Sequence, residues 1–512
     1  MSDPATDLIL VIDLGSSSVR ASAYRTDGER LEDASESRPT HQAADGTFDP
    51  IALTRLTEEV VSECLASLRG RRRGFRLIGV AWTSFAMSLL GVDRAGRPVT
   101  PVYTYADSRS GPYADALRQK LEGEGLLADT CKRTGTPVHT AYAPPQLLRL
   151  AAEEPDRIAQ VACWQTIASH LLGRWQGRAR APISSSEVGW TGLLDRGALS
   201  WDEALVKKIG VDRAQLPSVN DYARSHTGLV EPWASRWSEL AQTPFFLAVG
   251  DGAGANLGSG CADSRRIALT IGTTGAMRVV IPASAEGSIA ASARARAPAV
   301  PDGLWSYPID SRRWLVGGSL TDGGSLYSWL HELLAVKDAA ELLAEAARLK
   351  PDGHGLTILP FLRGERAPGW ATNASLTISG MTPATTPVHI QRAALEAVAF
   401  RFRLIFDRLR PHLAPGSEIV ASGGALHENA LWRQILADVL QTPVRLVNVD
   451  EATSRGAAIL ALQALGLPLP PAPPTVHSAA PDREAGPLYE RALARQEGLY
   501  RQVIGSAQAR KH

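Results

Sequence analysis

The chain has 512 residues and a mass of 54.7 kDa, too long for one small domain, which predicts two or more lobes. Lys and Arg total 54 and Asp and Glu total 53, so a formal charge of +1 gives no electrostatic reason to expect nucleic acid or an anionic membrane as a partner. No run approaches the ~18 apolar residues of a membrane span, and the run at 8–12 is too short for a signal peptide. The four cysteines have no metal-ligand spacing, so we expect a cytoplasmic protein with free thiols.

Short apolar runs of β type alternate with longer segments of helical period, which is typical of layered α/β folds. The predicted strands are, in chain order, 8–14, 77–82, 245–249, 267–271, 418–421 and 444–447. A long helix is predicted from Pro387, with Thr386 as its N-cap, to a stop at Pro411, and a second helix at 429–440. The Pro-rich segment 467–487 predicts an extended strap before a last helix at 488–508.

The two halves of the chain share a strand–turn–strand pattern. The strand at 8–14 enters a Gly-Ser-Ser-Ser turn and continues as a strand at 19–24, and the strand at 267–271 enters a Gly-Thr-Thr-Gly turn before a strand at 276–280. The turn residues are Gly15, Ser16, Ser17 and Ser18 in the first half, and Gly272, Thr273, Thr274 and Gly275 in the second. This repeat predicts a duplicated lobe, with lobes at 1–244 and 245–466, a hinge just before Phe245, and a strap and terminal helix at 467–512.

Turns of glycine and hydroxyl residues suit phosphate, because backbone N–H groups can approach the anion closely and hydroxyls donate further hydrogen bonds. A single such turn is also common as a plain hairpin, so each turn alone leaves both interpretations open. A matched pair favours a phosphate clamp between two lobes. No lysine follows a glycine anywhere in the chain, which excludes a P-loop, and the segment 250–255 fits the dinucleotide fingerprint only loosely.

Two carboxylates stand beside these features. Asp251 follows the predicted strand at 245–249 between two glycines, so its side chain can reach a cleft between lobes; it could equally begin a helix as an N-cap, and both interpretations stay open. Asp13 lies near the end of a buried strand beside the first turn, where a carboxylate typically holds Mg²⁺ directly or through water. Glycines at 317–318, 323–324 and 423–424 leave room for a nucleotide, or serve packing alone.

Together these motifs resemble the FGGY carbohydrate kinases, members of the actin/hexokinase/Hsp70 superfamily, over roughly residues 8–465. The segments that carry the resemblance are DLGSSSVR (13–20), GVDRAGRPVTPVYTYADSRS (91–110), GTPVH (135–139), TGLLD (191–195), GDGAGANLGSGC (250–261), IGTTGAMR (271–278), LPFLRGERAPGW (359–370), ASGGALHENALWRQILADVL (421–440) and EATSRGAAI (451–459). The GERAPGW and ADSRS segments most resemble gluconokinases, with xylulokinases next. The resemblance implies an α/β fold of two actin-like (ribonuclease H-like) lobes around an interlobe cleft.

The resemblance also implies roles for single residues. Asp251 matches the catalytic base that takes the proton of the acceptor hydroxyl, and Asp13 matches the carboxylate that organises Mg²⁺. The phosphate hairpins correspond to Gly15, Ser16, Ser17, Ser18, Gly272, Thr273 and Thr274. Nucleotide contacts are implied for Gly324, Gly423, Gly424 and Asn429. Asp107 and Arg109 match a sugar-side motif in which Tyr105 replaces the usual Trp.

The chain departs from the gluconokinase pattern at the acceptor. Gluconokinases carry Gln-Met-His at the positions of Phe85, Ala86 and Met87, so a more apolar wall is expected to face the substrate through Phe85 and Met87. Gln146 stands where a lysine is common. Losing hydrogen-bonding groups from this wall affects which sugar is accepted rather than the fold or the phosphoryl chemistry.

The expected function is ATP- and Mg²⁺-dependent phosphorylation of a hydroxyl in a sugar or sugar acid, gluconate-like or a ketopentose, with no nucleic acid or membrane partner. The resemblance allows a homodimer, and no apolar stripe identifies an interface. The alternative is a catalytically altered, nucleotide-gated sugar-binding or regulatory protein of the same fold, for which the altered wall leaves room. Retention of both Asp13 and Asp251 argues against that alternative.

Overall fold

The computed structural model describes residues 6–71, 74–283 and 297–505. Within these residues the strands are β1 (Thr6–Leu14), β2 (Ser18–Arg25), β3 (Arg30–Pro39), β4 (Phe75–Ser84), β5 (Leu89–Val92), β6 (Cys163–Thr166), β7 (Ile183–Ser184), β8 (Leu194–Asp195), β9 (Ser200–Trp201), β10 (Val219–Asn220), β11 (Val249–Gly250), β12 (Arg266–Ile271), β13 (Gly275–Pro282), β14 (Trp305–Pro308), β15 (Arg313–Leu320), β16 (Thr357–Leu359), β17 (Thr377–Ser379), β18 (Glu418–Ser422), β19 (Val444–Val447) and β20 (Thr475–Ala479). The helices in the same ranges are α1 (Pro50–Arg71), α2 (Gly111–Gly123), α3 (Leu127–Thr134), α4 (Ala143–Glu153), α5 (Pro155–Ile158), α6 (Ile167–Trp175), α7 (Ser185–Thr191), α8 (Glu203–Lys208), α9 (Trp233–Arg236), α10 (Asp251–Gly258), α11 (Gly324–Leu333), α12 (Ala339–Arg348), α13 (Pro387–Leu409), α14 (Gly424–Glu428), α15 (Ala430–Leu440), α16 (Ala452–Ala464) and α17 (Ala485–Tyr500).

Two sheets that share a five-strand order form the centres of the two lobes. The first has the order β11-β4-β1-β2-β3, with β1 antiparallel to β2 and parallel to β4. The second has the order β14-β15-β13-β12-β18-β19-β20, with β12 antiparallel to β13 and parallel to β18. In the five shared strands of each sheet, a hairpin and a third antiparallel strand occupy one side and two parallel strands the other, and the second sheet adds the antiparallel edge strands β14 and β20. The shared topology confirms the predicted duplication.

The central strand β1 is apolar without interruption because both of its faces are covered. Successive side chains point to opposite faces of a sheet. Leu8, Leu10 and Ile12 lie in the core that also contains residues of α1, whereas Ile9 and Val11 pack with residues of α16. A strand covered on both faces needs a continuous apolar run, and this is the pattern that made β1 recognisable from the sequence.

The long helix α13 begins and ends where the sequence predicts. The Thr386 N–H donates to His389 Nδ1 over 3.1 Å at its start, and the helix ends at Leu409, before a 3₁₀ turn at Arg410–His412 that contains Pro411. Its buried face supplies Ile390, Phe402 and other apolar side chains to the core of the second lobe.

Two predicted elements differ from the structure. The predicted strand at 245–249 is regular only at Val249–Gly250, because the Phe245 N–H donates to His226 and the Phe246 N–H to Val80, so the segment divides its backbone hydrogen bonds between two neighbours. The strap contains β20, an edge strand antiparallel to β19 that its prolines concealed. The last helix begins at Ala485, and the end predicted for it, at 506–508, lies outside the described residues.

Strand pairing also bears on the predicted division of the chain. β11 pairs in parallel with β4, so the first sheet continues beyond Phe245, where the sequence places the hinge. The division into lobes at residue 244 therefore remains a prediction. Within the described ranges, no helix has both the length and the apolar character needed to cross a bilayer.

Helix α16 connects the halves of the chain. It belongs to the C-terminal half by sequence, yet it packs on β1 and β4 of the first sheet and crosses α10. A Cβ at Gly456 would collide with the carbonyl oxygen of Gly254, and one at Gly258 with that of Ala452. These glycines allow the two helix backbones to touch, because no side chain separates them.

We predict that Gly456→Ala lowers the free energy of unfolding by about 1–3 kcal/mol, because the added methyl group forces α16 away from α10. Gly498→Ala in α17 is the matched control: a Cβ there meets nothing within 4 Å, so the same change should raise stability by up to ~1 kcal/mol. Urea unfolding of both variants measures the difference. Equal effects of the same sign would contradict the close crossing.

Candidate active site

Three strands of the first sheet end in register at one edge. Leu14 of β1 and Gly250 of β11 both pair with Ser84 of β4, and these strands are parallel. The carboxyl ends of parallel strands therefore bring together the groups that follow them, as is usual for ligand sites of α/β sheets. Those groups are the Gly15 turn, the segment 85–87 and Asp251.

The second sheet presents a corresponding edge. Thr270 of β12 pairs with Ser422 of β18, so the turn that starts at Gly272 and the turn at Gly423 lie side by side. The backbone N–H of Gly272 donates to the Thr274 carbonyl over 3.0 Å, as that of Gly15 does to the Ser18 carbonyl over 3.0 Å in the first turn. The two hairpins are thus closed in similar ways.

A cavity of about 260 Å³, here called the central cavity, lies between these edges. The first sheet contributes Ala86, Met87 and Asp251, and the second contributes the turn residues Gly272 and Thr274. Six aromatic side chains of the described chain also line it: Tyr105, Tyr142, Trp190, Trp305, Tyr307 and Trp370. The cavity therefore brings a carboxylate from the edge of the first sheet and a glycine–hydroxyl turn from the edge of the second to one largely aromatic space.

A second cavity, here called the outer cavity, lies on the other side of the same turn and measures about 800 Å³. Gly272 lines both cavities, so the turn at 272–274 is the wall between them. The outer cavity collects the predicted residues Thr273, Gly324, Gly424 and Asn429. A molecule that fills the outer cavity can thus meet one in the central cavity at this turn.

Asp251 is the titratable group best placed for chemistry in the central cavity. Its Oδ1 accepts a hydrogen bond from the Gly252 N–H over 2.7 Å in the first turn of α10. Burial is the main cause that raises the pKa of Asp251, to about 6; Arg278 opposes this rise, and the negative charge of Asp13 adds to it. A carboxylate with this pKa is ionised at neutral pH and accepts a proton more readily than an ordinary aspartate.

Asp13 is a buried carboxylate at the base of the first turn. Its Oδ1 accepts a hydrogen bond from Thr83 Oγ1 over 2.6 Å, and Arg20 Nη1 donates to its Oδ2 over 3.3 Å. Burial raises the pKa of Asp13 in spite of these partners. The negative charge of Asp13 helps to raise the pKa of Asp251, a repulsion that a divalent cation would relieve, and carboxylate oxygens are ligands that Mg²⁺ accepts, so the residues fit this ion.

The glycines on either side of Asp251 leave space for two large side chains. A Cβ at Gly250 would collide with the Trp190 indole nitrogen, and one at Gly252 would lie 2.8 Å from Arg278 Nη1. Without side chains at these positions, Trp190 and Arg278 can both approach Asp251. The sequence showed that the glycines keep the site open, but not what occupies the space.

The structure places three predicted acceptor residues, Phe85, Asp107 and Arg109, outside the lining of the central cavity. Asp107 is fully buried and paired with Arg109 over 2.7 Å and with Arg149 over 3.1 Å, so this motif is an ion-pair cluster that does not line the central cavity. Phe85 packs against Phe48 in the core of the first lobe and lies behind the wall. Met87 does line the cavity, with a φ of 58° that side chains rarely adopt.

The remaining predicted residues have identifiable local roles. The carbonyl oxygens of Ser16 and Ser17 accept hydrogen bonds from Thr40, and Ser18 Oγ is buried without a partner among the described residues. Gly423 has a φ of 102°, and a Cβ there would collide with Ile271, so this turn requires glycine. Asn429 caps α15 by accepting a hydrogen bond from the Trp432 N–H over 2.9 Å while lining the outer cavity.

Sequence reasoning missed most of the cavity wall. Arg278 lies within a segment that carried the resemblance, but it was not singled out; Arg366, also in the wall, places its guanidinium 4.8 Å from the centre of the Tyr105 ring. The aromatic residues come from separate segments between 105 and 370, and no short motif joins them. The only signal available was the unusual number of tryptophans, 12 in the chain.

Similarity to known proteins extends over most of the chain. Residues 8–258 match the family model described as the FGGY family of carbohydrate kinases, N-terminal domain, and residues 267–465 match its C-terminal domain. The chain is similar to the gluconokinase of Bacillus subtilis (strain 168), with 27% identity over 90% of this chain and 88% of the relative. It is 31% identical to a glycerol kinase of Rhodospirillum centenum over 90% of each chain. A ligand-bound xylulose kinase structure from Lactobacillus acidophilus superposes with a TM-score of 0.85 at 22% sequence identity, and the match covers 98% of this chain and 99% of the xylulose kinase chain. This likeness shows the two-lobed actin-like fold.

We predict that Asp107→Asn acts on stability, lowering the free energy of unfolding by about 1–3 kcal/mol, because the buried Arg149 guanidinium loses its fully buried anionic partner. Arg149 keeps its ion pairs with Glu153 over 3.3 Å and Glu154 over 3.7 Å. Arg109→Gln is the control. Because the Arg109 side chain is 41% exposed and Asp107 keeps its ion pair with Arg149, this change should lower the free energy of unfolding by less than ~1 kcal/mol. Chemical denaturation measures both. An Asp107→Asn protein of unchanged stability would contradict a structural role for the cluster.

Proposed function

The chain belongs to the FGGY family of carbohydrate kinases, and we propose that its central cavity binds a sugar or sugar acid, gluconate-like or a ketopentose, whose hydroxyl is phosphorylated with Asp251 as the general base. The observation that carries the proposal is that Asp251, at the edge of the first sheet, and the turn at 272–274, at the edge of the second sheet, line the same cavity. Aromatic rings suit the C–H faces of a carbohydrate, and the few polar groups among them would orient its hydroxyls.

The role of Asp251 follows from its position and its pKa. The carboxylate accepts the proton of the acceptor hydroxyl as that oxygen attacks the terminal phosphorus of ATP. Its raised pKa, about 6, makes it a better proton acceptor while leaving it ionised at neutral pH. Phosphoryl transfer otherwise depends on positioning and on stabilising charge, to which a base adds about 10²–10⁴-fold in rate.

The nucleotide would occupy the outer cavity with its phosphates at the turn it shares with the central cavity. This turn is held by α11, because the N–H groups of Gly324 and Ser325 donate to the carbonyls of Gly272 and Thr273. The helix thereby fixes the backbone that would meet the phosphates. Gly324, Gly424 and Asn429 would contact the rest of the nucleotide, since all three line the outer cavity.

The first hairpin and Asp13 would complete the phosphate site from the other lobe. Asp13, with Asp251 nearby, would hold Mg²⁺, which when bound neutralises the charge on the phosphates. Arg20 pairs with both Asp13 and Glu451, which begins α16, so this corner is tied to the C-terminal half of the chain. Gly15, Ser16, Ser17 and Ser18 would then face the terminal phosphates.

We propose that the enzyme is cytoplasmic, where ATP is available and thiols stay reduced; Cys64, Cys131, Cys163 and Cys261 are all free. The alternative of a nucleotide-gated binding or regulatory protein is not favoured. The apolar wall that left room for this alternative is present in part, through Ala86 and Met87. However, Asp251 remains in the cavity, and its pKa of about 6 leaves it ionised at neutral pH, as a general base must be.

A screen of sugars, polyols and sugar acids for ADP release with Mg²⁺ and ATP tests the proposal. We predict turnover with at least one acceptor, and a ~10²–10⁴-fold lower kcat in Asp251→Asn, because the amide cannot take the proton. ADP binding should persist in that variant, since Asp251 lies outside the outer cavity.

The matched control is Asp263→Asn, which makes the same change at an exposed carboxylate away from both cavities and should leave kcat unchanged. ATP binding without turnover on every acceptor would favour the binding-protein alternative. Turnover of Asp251→Asn equal to that of the native protein would remove Asp251 from the mechanism.

The pH dependence of kcat/KM gives a separate prediction. Because the base must be ionised and the pKa of Asp251 is about 6, kcat/KM should be constant near neutral pH and fall about tenfold per unit below pH 6. Arg278 holds this pKa down, so removing its charge should move the acid limb to higher pH. Steady-state rates between pH 5 and 8 measure the profile, and a flat profile down to pH 5 would exclude an ionisation of this kind.

A further inference from the structure

Arg278 is a buried cation in the central cavity with few partners. It lies on β13, where it pairs with Ala268 and Gly317 in the sheet, and only 9% of it is exposed. Its Nη2 donates to Thr270 Oγ1 over 3.2 Å, while its Nε has no hydrogen-bond partner within the described ranges. A buried guanidinium with unused donors is costly unless a ligand supplies the missing acceptors.

The position of Arg278 along β13 suits one end of an acceptor. Thr274, Ala276 and Arg278 all line the central cavity, as expected for alternate residues on one face of a strand. At a rise of about 3.3 Å per residue, Arg278 lies roughly 13 Å along the strand from Thr274 at the turn. Its backbone is therefore remote from the turn, while its guanidinium reaches Thr270 of β12 and the space beside Gly252, next to Asp251.

Arg278 and Asp251 do not neutralise each other by direct contact. No ion pair joins them in the part of the chain that the structure describes, although the charge of Arg278 lowers the pKa of Asp251 and burial lowers that of Arg278. Arg366 adds a second cation to the cavity wall. The charged lining, two arginines against one aspartate, leaves a positive excess for an anionic acceptor.

We infer that Arg278 is a specificity-determining residue that binds a carboxylate, so that the acceptor is a sugar acid rather than a neutral sugar or polyol. The inference rests on the proposed function and narrows its substrate class. A carboxylate can accept two parallel hydrogen bonds from the planar guanidinium, while a hydroxyl of the same acceptor reaches Asp251. The missing side chain at Gly252 supplies the space for the guanidinium.

Matched pairs of acceptors that differ only in the carboxylate test the inference: D-gluconate against D-glucitol, and D-xylonate against xylitol. The native protein should have the higher kcat/KM for each acid. Arg278→Gln should lower the ratio of kcat/KM for each acid to kcat/KM for its matched polyol by about 10–100-fold, as expected for loss of charge-assisted hydrogen bonds. Arg278→Lys should retain part of the preference, because it keeps the charge but loses the paired geometry.

Arg196→Gln is the matched control. Arg196 is also buried with an Nε that lacks a partner in the described chain, but it lies outside the central cavity, so the acid-to-polyol ratio should not change. ADP binding by each variant reports whether it is folded. If Arg278→Gln does not fold, the inference is tested by the acid-to-polyol ratio of kcat/KM in the native protein and in Arg278→Lys.

Two results would overturn the inference and leave the kinase function standing. One is a native protein that phosphorylates polyols or ketopentoses but no acid. The other is an Arg278→Gln variant whose kcat falls equally on acids and polyols, which would assign Arg278 to the reacting phosphoryl group or to Asp251. Failure of the native protein to release ADP with any acceptor would overturn the proposed function as well, so the two failures are distinguishable.

Discussion

The registered ends of parallel strands determine the geometry of the site. Leu14, Ser84 and Gly250 lie side by side, so the segments that follow them must emerge together whatever their sequence. The hydrogen bonds of the sheet therefore hold Asp251 and the first turn at fixed positions, and the second sheet does the same for the turn at Gly272. Residues of the cavity wall can therefore be replaced without moving the two sheets, which explains how the fold persists while the acceptor wall changes.

Much of the frame could be predicted from the sequence, because it depends on local patterns. Short continuous apolar runs located β1 and β12, and Thr386 with Pro387 located the start of α13. Glycine and hydroxyl residues marked both turns. The fold and the enzyme class that the resemblance implied are confirmed, whereas the roles of the site residues remain predictions.

The cavity wall could not be predicted in the same way, because it depends on long-range packing. Tyr105, Trp190 and Trp305 are far apart in the chain and meet only after both lobes have folded. Asp107 and Arg109 show a related difficulty: two residues of one motif have different surroundings, since Asp107 is fully buried in an ion pair while Arg109 is 41% exposed. The order of residues in a motif does not indicate which side chain lines the cavity and which forms ion pairs behind it.

The path of α16 has a consequence for how the protein is made. Ile9 and Val11 of β1 are covered by Ala458 and Leu462 of that helix, more than 400 positions later in the chain. During synthesis at 5–20 residues per second, this face of the first sheet stays uncovered for roughly 20–90 s after β1 is made. The nascent first lobe thus exposes apolar surface throughout translation, and neither half can be expected to reach its native state when produced as a separate fragment.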